Sequence, residues 1–378
     1  MSIVKFSEVA HRAYTREDRF NTEKIYYVGG EHIDSCELYV TKKGVIKGST
    51  IGPMFYCGFT AGQILFVTRN PHLKKCSIAD FDGICSEKTF VIETKDESIL
   101  TQEYLAIIMQ SDDFWNYCEE NKSGGVNYFL NWSTLADYEF ELPPIKQQLE
   151  IAQKVMSAYR LKQSYKKLLD ATREMVKSQF IEMFGDPMTN TKGWTEYGYI
   201  GNYSQIVLGS TPNSKNPSYW DGDIKWITPA EMTDESYYIY DTERHLTEEG
   251  LRSANLTLLP YGSVLFSTRA PIGKVGLVGS PMYCNQGFKN FICNDNLNPV
   301  YLYYTLIYKH DYLVSLGTGT TFKELSKKAV DNLEIAIPPL ELQEQFECIY
   351  HQSDKSKFEL RKSTEAIDRV IKSLINNV

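Results

Sequence analysis

Residues 145–184 run for forty positions without a proline or a glycine, and their apolar residues recur at helical spacing. Leu149, Ala152, Met156 and Tyr159 begin a stripe that Tyr165, Leu168, Met175 and Phe180 continue. Apolar positions three and four apart lie on one face of a helix. Pro143 and Pro144 precede the stretch; proline suits a helix start because its φ already fits and its missing amide would be unpaired there. "FGDP" closes it, with Gly185 as the cap and Pro187 as the stop. Residues 340–378 repeat the pattern after Pro338 and Pro339, with a stripe of Phe346, Ile349, Ile367, Val370, Ile371 and Leu374. Each stretch predicts a helix about 55–60 Å long at 1.5 Å per residue.

The segments before these helices have a different period. Runs such as "ILFVT", "TFVIE", "SVLFST" and "KVGLVG" are β-branched or aromatic and are broken by Gly, Pro and Asn, which predicts short strands. Each segment also holds one helical stretch, "ILTQEYLAIIMQSDDFWNYCEE" and "NPVYLYYTLIYKHDYLVSL". The expected class is α+β.

The two halves match each other. "LPPIKQQLEI" (142–151) and "IPPLELQEQF" (337–346) stand 195 positions apart, and "GQILFVTRNP" (62–71) and "GSVLFSTRAP" (262–271) share six of ten residues at a separation of 200. "YYVGGEHID" (26–34) resembles "KWITPAEMTD" (225–234), and "CSEKTFVIE" (85–93) resembles "CNQGFKNFI" (284–292). A duplication of roughly 190 residues accounts for all four pairs. It divides the chain into a domain at 1–144, a helix at 145–184, a second domain at 185–339 and a second helix at 340–378. A long helix with one apolar stripe must bury it, and the nearest partner is its own copy. The expectation is an antiparallel coiled coil holding the two domains at opposite ends of a rod, related by a pseudo-two-fold axis. Such a shape suits a duplex with two half-sites, or serves as a dimerising or adaptor device.

Composition narrows the options. The 378 residues are 42% hydrophobic and 13% aromatic, enough for more than one core. The start, "MSIVKFSEVAHRAY", has no basic region followed by an apolar core, so no signal peptide is expected, and with no run of 18 apolar residues no membrane span is expected. Eight cysteines without a CxxC are expected to be free thiols, and the expected location is cytoplasmic. The net charge of −8 is uneven: residues 145–184 carry eight basic and four acidic side chains. An acidic total argues against coating DNA non-specifically but leaves a local basic face open.

Several stretches carry a family resemblance: "LGSTPNSKNPSYWDGDIKWITPAEM" (208–232), "VLFSTRAPIGKVGLVG" (264–279), "GTGTTFKELSKKAVDNLEIAIPPLELQEQF" (317–346), "YVGGEHID" (27–34) and "KSQFIEMFGDP" (177–187). In that order the chain resembles a DNA specificity subunit of a type I restriction–modification enzyme. The first half departs from the pattern: it has "EDRFNTEKIYY" where a "GxTP" stretch is expected, and "NKSGGVNYFLNWSTL" in place of "GTGTTFKELSKKAV". The resemblance implies a non-catalytic subunit with two tandem target recognition domains, each followed by a long helix. They would read a bipartite, asymmetric site on double-stranded DNA with an unread spacer. The helices would dock methyltransferase subunits, two of them, and restriction/translocase subunits would join. S-adenosylmethionine, ATP and Mg²⁺ are expected on those partners and no cofactor on this chain. The modified adenine would be flipped out of the duplex by the methyltransferase.

DNA contacts draw on Lys, Arg, Asn and hydroxyl side chains in loops. The repeated "TRxP" places Arg69 and Arg269 at equivalent strand ends, either as DNA contacts or as structural arginines paired with a carboxylate inside the domain. Lys274 sits on the glycine-bearing turn of "APIGKVG", and "GTGTTFKELSKK" supplies Thr320, Thr321, Lys323 and Lys327 near a helix start. The matching stretch of the first half offers Lys122, Ser123, Asn127 and Tyr128. "NSKNPSYWDG" adds Asn213, Lys215 and Tyr219, on a loop that is otherwise simply solvated. The basic residues of the first helix, Lys154, Arg160, Lys162, Lys166, Lys167, Arg173 and Lys177, face spacer DNA, or form a solvated or partner-binding face.

Enzyme readings are weaker. Glu93-x-Lys95 with Asp80 and Asp82 faintly suggests a Mg²⁺-dependent nuclease, but the second half has "FICND" at that place. Leu142 and Ile337, not Asn or Asp, precede the double prolines, which argues against a methyltransferase, and no Gly-rich nucleotide loop follows a strand.

Overall fold

The computed structural model describes residues 2–233, 237–269, 271–318 and 324–377. The chain forms two compact units, Met1–Lys167 with Leu360–Val378, and Leu168–Glu359.

The first unit is built on a four-stranded antiparallel sheet in the order Ala10–Arg12, Thr89–Thr94, Ile64–Val67, Cys76–Ile78. A second sheet of five short strands includes Phe55–Phe59, Gly83–Ser86 and Tyr26–Val28, the last two parallel. A ribbon of Ser2–Lys5 against Glu139–Leu142 leads to the first long helix. The second unit repeats the plan. Ser204–Leu208, Lys289–Cys293, Val264–Phe266 and Val275–Val278 follow one another in its main sheet, and Tyr197–Tyr199 pairs with Glu334–Ala336. The duplication seen in the sequence is thus a duplication of strand order.

The long helices are Ile145–Phe184 and Leu340–Asn376. In the first unit, Ala152, Val155, Met156 and Tyr159 share a core with Ile64, Phe66, Phe114 and Trp115, and the end of the second helix adds Ile371, Leu374 and Ile375. There the two helices run antiparallel, with Lys162 against Asp368 at 2.7 Å. In the second unit, Phe180 and Phe184 pack on Phe346, with ring centroids 5.3 and 5.6 Å apart, and on Tyr301. The buried positions of the first helix are therefore 152, 155, 156 and 159 in the first unit and 176, 180 and 184 in the second, spacings that keep each set on one helix face. Leu149, Leu168 and Met175 of the expected stripe are not among them and are exposed, as is Val370. Gly185 has φ +76° and its amide donates to Ile181, the left-handed cap that ends the first helix.

The repeated "PP…Q" signature has a concrete cause. Pro144 O accepts the amides of Gln147 and Gln148, opening the helix, while the fully buried Gln148 side chain reaches back. Its Nε2 donates to Pro143 O (2.9 Å) and Ile99 O (2.8 Å), and its Oε1 accepts the amide of Thr101 (3.1 Å), the cap of helix Gln102–Ile108. Gln343 makes the same bracket. It donates to Pro338 O (2.7 Å) and Asn296 O (3.4 Å) and accepts from Asn298 (2.8 Å), the cap of Pro299–Tyr308. One buried amide thus satisfies the loose backbone groups of two helix starts, a burial tolerable only because every polar atom is paired.

All eight cysteines are free thiols. Among the described residues no helix is long and apolar enough to cross a membrane.

Candidate nucleic-acid interface

In each unit the "TR" strand end is clamped. Thr68 is buried; its amide (2.8 Å) and hydroxyl (2.9 Å) both donate to Lys88 O. Thr268 does the same toward Gly287 O, at 2.8 and 3.2 Å. Against that end lies a loop closed on itself. Ser123 and Phe129 exchange both backbone hydrogen bonds (2.8 and 2.9 Å), and Leu130 donates to Thr68 O at 3.0 Å. Thr318 and Glu324 exchange the same pair (3.1 and 2.9 Å), and Leu325 donates to Thr268 O at 3.0 Å. The sequence-distinct loops "SGGVNYF" and "TGTTFKE" therefore close through the same six-residue clasp. In the first, Gly124 has φ +101°, and a Cβ there would meet Asn127 O at 2.6 Å, so the turn requires glycine.

The candidate residues divide by surroundings. Asn127 is exposed at the loop tip beside Val126, which is 94% exposed. Lys122 is tied to Glu119 and lies 4.4 Å above the Tyr128 ring; Ser123 and the Tyr128 carbonyl are used by the clasp and by Asn70. Arg69 stacks over Phe129 at 5.1 Å. Arg269 instead pairs with Glu324 at 3.0 Å, and the buried Lys289 meets the same carboxylate at 3.0 Å and Thr268 Oγ1 at 3.0 Å. Burial pushes the Glu324 carboxyl up, but hydrogen bonds from Lys289 and Arg269 hold it below its ordinary value. Lys327 is exposed on the first turn of Lys327–Asp331, which Ser326 caps. Thr320, Thr321 and Lys323 lie outside the described residues.

Two other sites differ in character. Lys274 donates to Pro229 O (3.1 Å) and Met232 O (2.7 Å), so its ammonium braces its own domain. The loop after Ser204–Leu208 is set by Gly209, where a Cβ would meet Asn285 O at 1.9 Å; only glycine allows that approach. Thr211 then bonds Gln286, and Trp226 Nε1 donates to Ser210 O at 3.0 Å. Beyond this base, Asn213 and Lys215 are exposed, with Asn213 Oδ1 accepting the Lys215 amide at 3.1 Å. Tyr219 is half-buried, its carbonyl taken by Thr247. Arg244, which the sequence reading passed over, stacks 3.5 Å above Trp220 beneath this loop; "DTERHL" gives no local sign of it.

The basic residues of the first helix do not form one face. Lys162 is buried between Glu37 (3.1 Å) and Asp368 (2.7 Å), Lys166 also reaches Glu37 (2.9 Å), and Tyr159 donates its hydroxyl to Glu37. Arg173 and Lys177 pair with Asp170 and Glu174 one turn away. Of the nuclease candidates, Asp80, Glu93 and Lys95 line one cleft, where Glu93 accepts from Gln63 (2.7 Å) and Lys95 donates to Ser7 O, while Asp82 caps the Ala61 amide outside it. Among the described residues no group of three or more His, Cys, Asp or Glu could hold a metal ion.

Residues 193–367 match the family model of the type I restriction modification DNA specificity domain. A type I restriction enzyme specificity subunit of Methanocaldococcus jannaschii, MjaIX, is 34% identical over 181 residues, 47% of this chain and 42% of that protein. The putative MjaX specificity subunit of the same organism is 22% identical over 94% of this chain and 87% of its own length. The HindI specificity subunit of Haemophilus influenzae is 25% identical over 49% of this chain and 41% of its own. The chain thus spans less than half the length of the MjaIX and HindI subunits in these matches. Among solved structures, the type I system S subunit from M. genitalium has the same fold at a TM-score of 0.62 and 12% identity, over 99% of this chain and 94% of that one. A chain from a structural study of type I R-M complex assembly gives 0.59 at 22% identity, over 99% and 96%. Residues 193–367 thus match a type I restriction modification DNA specificity domain, and the chain as a whole shares the fold of type I S subunits.

Proposed function

We propose that this chain reads a bipartite, asymmetric site on double-stranded DNA for a type I restriction–modification complex, without catalysing a reaction itself. Residues 1–144 and 185–339 act as target recognition domains, one per half-site. Helices 145–184 and 340–378 set the unread spacer and dock two methyltransferase subunits, which restriction/translocase subunits join in the cytoplasm. S-adenosylmethionine, ATP and Mg²⁺ belong to those partners.

The reading rests on one observation: a loop of unrelated sequence is held by the same backbone clasp on the same Thr–Arg strand end in both units. A constant scaffold with a variable tip is what two readers of different sequences require. Asn127 on the first clasped loop, Lys327 beside the second, and Asn213 and Lys215 on the separate loop after Gly209 are exposed side chains able to reach a groove or phosphate.

The test is a genome-wide map of methylated adenine in cells expressing this chain with a methyltransferase partner, set against the partner alone. A split motif with an unread gap, present only with this chain, supports the reading. Stable co-purification without a new motif overturns it.

A further inference from the structure

The two strand-end arginines occupy equivalent backbone positions in opposite electrostatic settings. Arg269 faces Glu324 at 3.0 Å, and the carboxylate is shared with Lys289, which is only 7% exposed. Position 324 corresponds through the clasp to Phe129, since each residue exchanges backbone hydrogen bonds with the residue six before it and each is followed by a leucine bonded to the strand-end threonine. The strand register carries the comparison further. Thr68 bonds Lys88 O where Thr268 bonds Gly287 O, so Lys289 corresponds to Phe90, which is buried. The carboxylate of the second unit and the buried lysine that anchors it are therefore both phenylalanines in the first.

Arg69 accordingly has a ring beneath it and no carboxylate. Among the described residues it makes no ion pair within 4.0 Å, and its guanidinium lies 5.1 Å from the Phe129 centroid. Glu87, whose ionisation it favours only as the last of several causes, is held first by Lys88 and then by the Tyr56 hydroxyl at 3.0 Å. A guanidinium stacked on one face keeps its rigid fork of N–H donors at the edge, the geometry that grips a phosphate in two places. The ring also fixes the side chain, so less freedom is lost on binding.

We propose that Arg69 grips a DNA backbone phosphate, whereas its repeat counterpart Arg269 is a structural arginine paired with Glu324, whose carboxylate Lys289 anchors. This rests on the DNA-reading function proposed above. It makes the phosphate contacts of the two domains unequal although their strand-end motifs are identical.

The test uses the complex of this chain with its methyltransferase partner and the duplex identified by methylation mapping, with affinity followed across a salt series. Arg69→Gln is expected to weaken binding about tenfold, and to reduce the slope of log K against log salt by about one, alike on cognate and scrambled duplex. Phe129→Glu, which installs the second unit's carboxylate beneath an intact arginine, is expected to lower the slope the same way. Arg269→Gln is expected to leave the slope unchanged and to lower the thermal midpoint of its unit, because it leaves Glu324 with one partner fewer. An unchanged slope in both Arg69→Gln and Phe129→Glu, with thermal midpoints at the wild-type value, overturns the proposal. So does a slope loss in Arg269→Gln equal to that of Arg69→Gln. A wild-type complex with no preference for the mapped duplex overturns the DNA-reading function itself, a result separate from either outcome.

Discussion

Replacing Glu37 by glutamine removes one negative charge from a cluster that ties the first domain to both long helices. Glu37 accepts hydrogen bonds from Tyr159 and from Lys162 and Lys166 (3.1 and 2.9 Å), and Lys162 continues to Asp368 at 2.7 Å. The side chains of Glu37 and Lys162 are 13% and 10% exposed, so water cannot replace the lost partner at Lys162. Breaking a fully buried pair from one side costs about 3–5 kcal/mol. Here Lys162 keeps Asp368, and the half-exposed Lys166 regains water, so the expected loss is about 2 kcal/mol. For a unit of this size that is a fall of roughly 4–8 °C in its midpoint by calorimetry. The pH dependence has a definite sign. Burial pushes the Glu37 carboxyl up, but hydrogen bonds from Tyr159 and Lys166 and the charges of Lys162 and Lys166 outweigh it and leave its pKa below the ordinary carboxylate value. A carboxyl lowered on folding contributes stability above its unfolded pKa, and loses that contribution as pH falls through its folded value. The gap between wild type and Glu37→Gln is therefore expected to be full near neutrality and to close progressively below about pH 4. A gap that is absent at neutral pH, or that persists undiminished in acid, refutes the assignment of this cluster as a stabilising charged pin.

The glutamine brackets make a paired prediction: Gln148→Leu and Gln343→Leu each strand backbone groups at two helix starts and are expected to destabilise their own units by about 2–4 kcal/mol. Hydrogen exchange at Thr101 and Asn298, the amides that these side chains accept from, reads the loss locally. Gly209→Ala is expected to displace the 209–219 loop, because the added carbon would sit 1.9 Å from Asn285 O. Target discrimination at the second half-site should fall while adenine methylation at sites differing only in that half appears; an unaltered motif would show the loop to be a bystander.

The long helices were legible because forty residues of unbroken 3.6-residue period have few other ways to bury an apolar face. The buried positions themselves were less so. Leu149, Leu168 and Met175 fit a helical stripe in one dimension, yet the core takes Val155 and Val176 in addition to the expected Ala152, Met156, Tyr159 and Phe180. Lys162 read as one more surface base because Glu37 stands 125 residues away, and a pairing at that distance leaves no trace in a local pattern. At the interface, "TRxP" located the strand ends and the two loop sequences marked the loops. The clasp was invisible, since it consists of backbone hydrogen bonds that any side chains could accompany. Arg269 could be read either way from the sequence; the deciding facts, Glu324 and Lys289, lie 55 and 20 positions further along the chain.

What the duplication kept and what it let go follow one physical division. The glutamine bracket, the threonine hydrogen-bonded at the strand end and the six-residue clasp are present twice, and each satisfies backbone donors or acceptors that no side-chain choice can remove. Contacts between side chains were free to change chemistry provided that volume and charge stayed balanced. Lys162 is neutralised by Glu37, whereas Lys357, 195 positions on, lies 3.7 Å above the ring of Tyr237, which stands 200 positions after Glu37, and reaches Asp354 at 3.2 Å. The cation that meets Glu37 in one copy lies over an aromatic ring at the corresponding position in the other. The exchange of Phe129 for Glu324 is the same kind of substitution beside the recognition loop, with the opposite consequence: in one copy it frees a guanidinium, in the other it occupies one. On the function proposed above, divergence confined to side chains on a backbone frame held constant would let one domain acquire a new target without refolding.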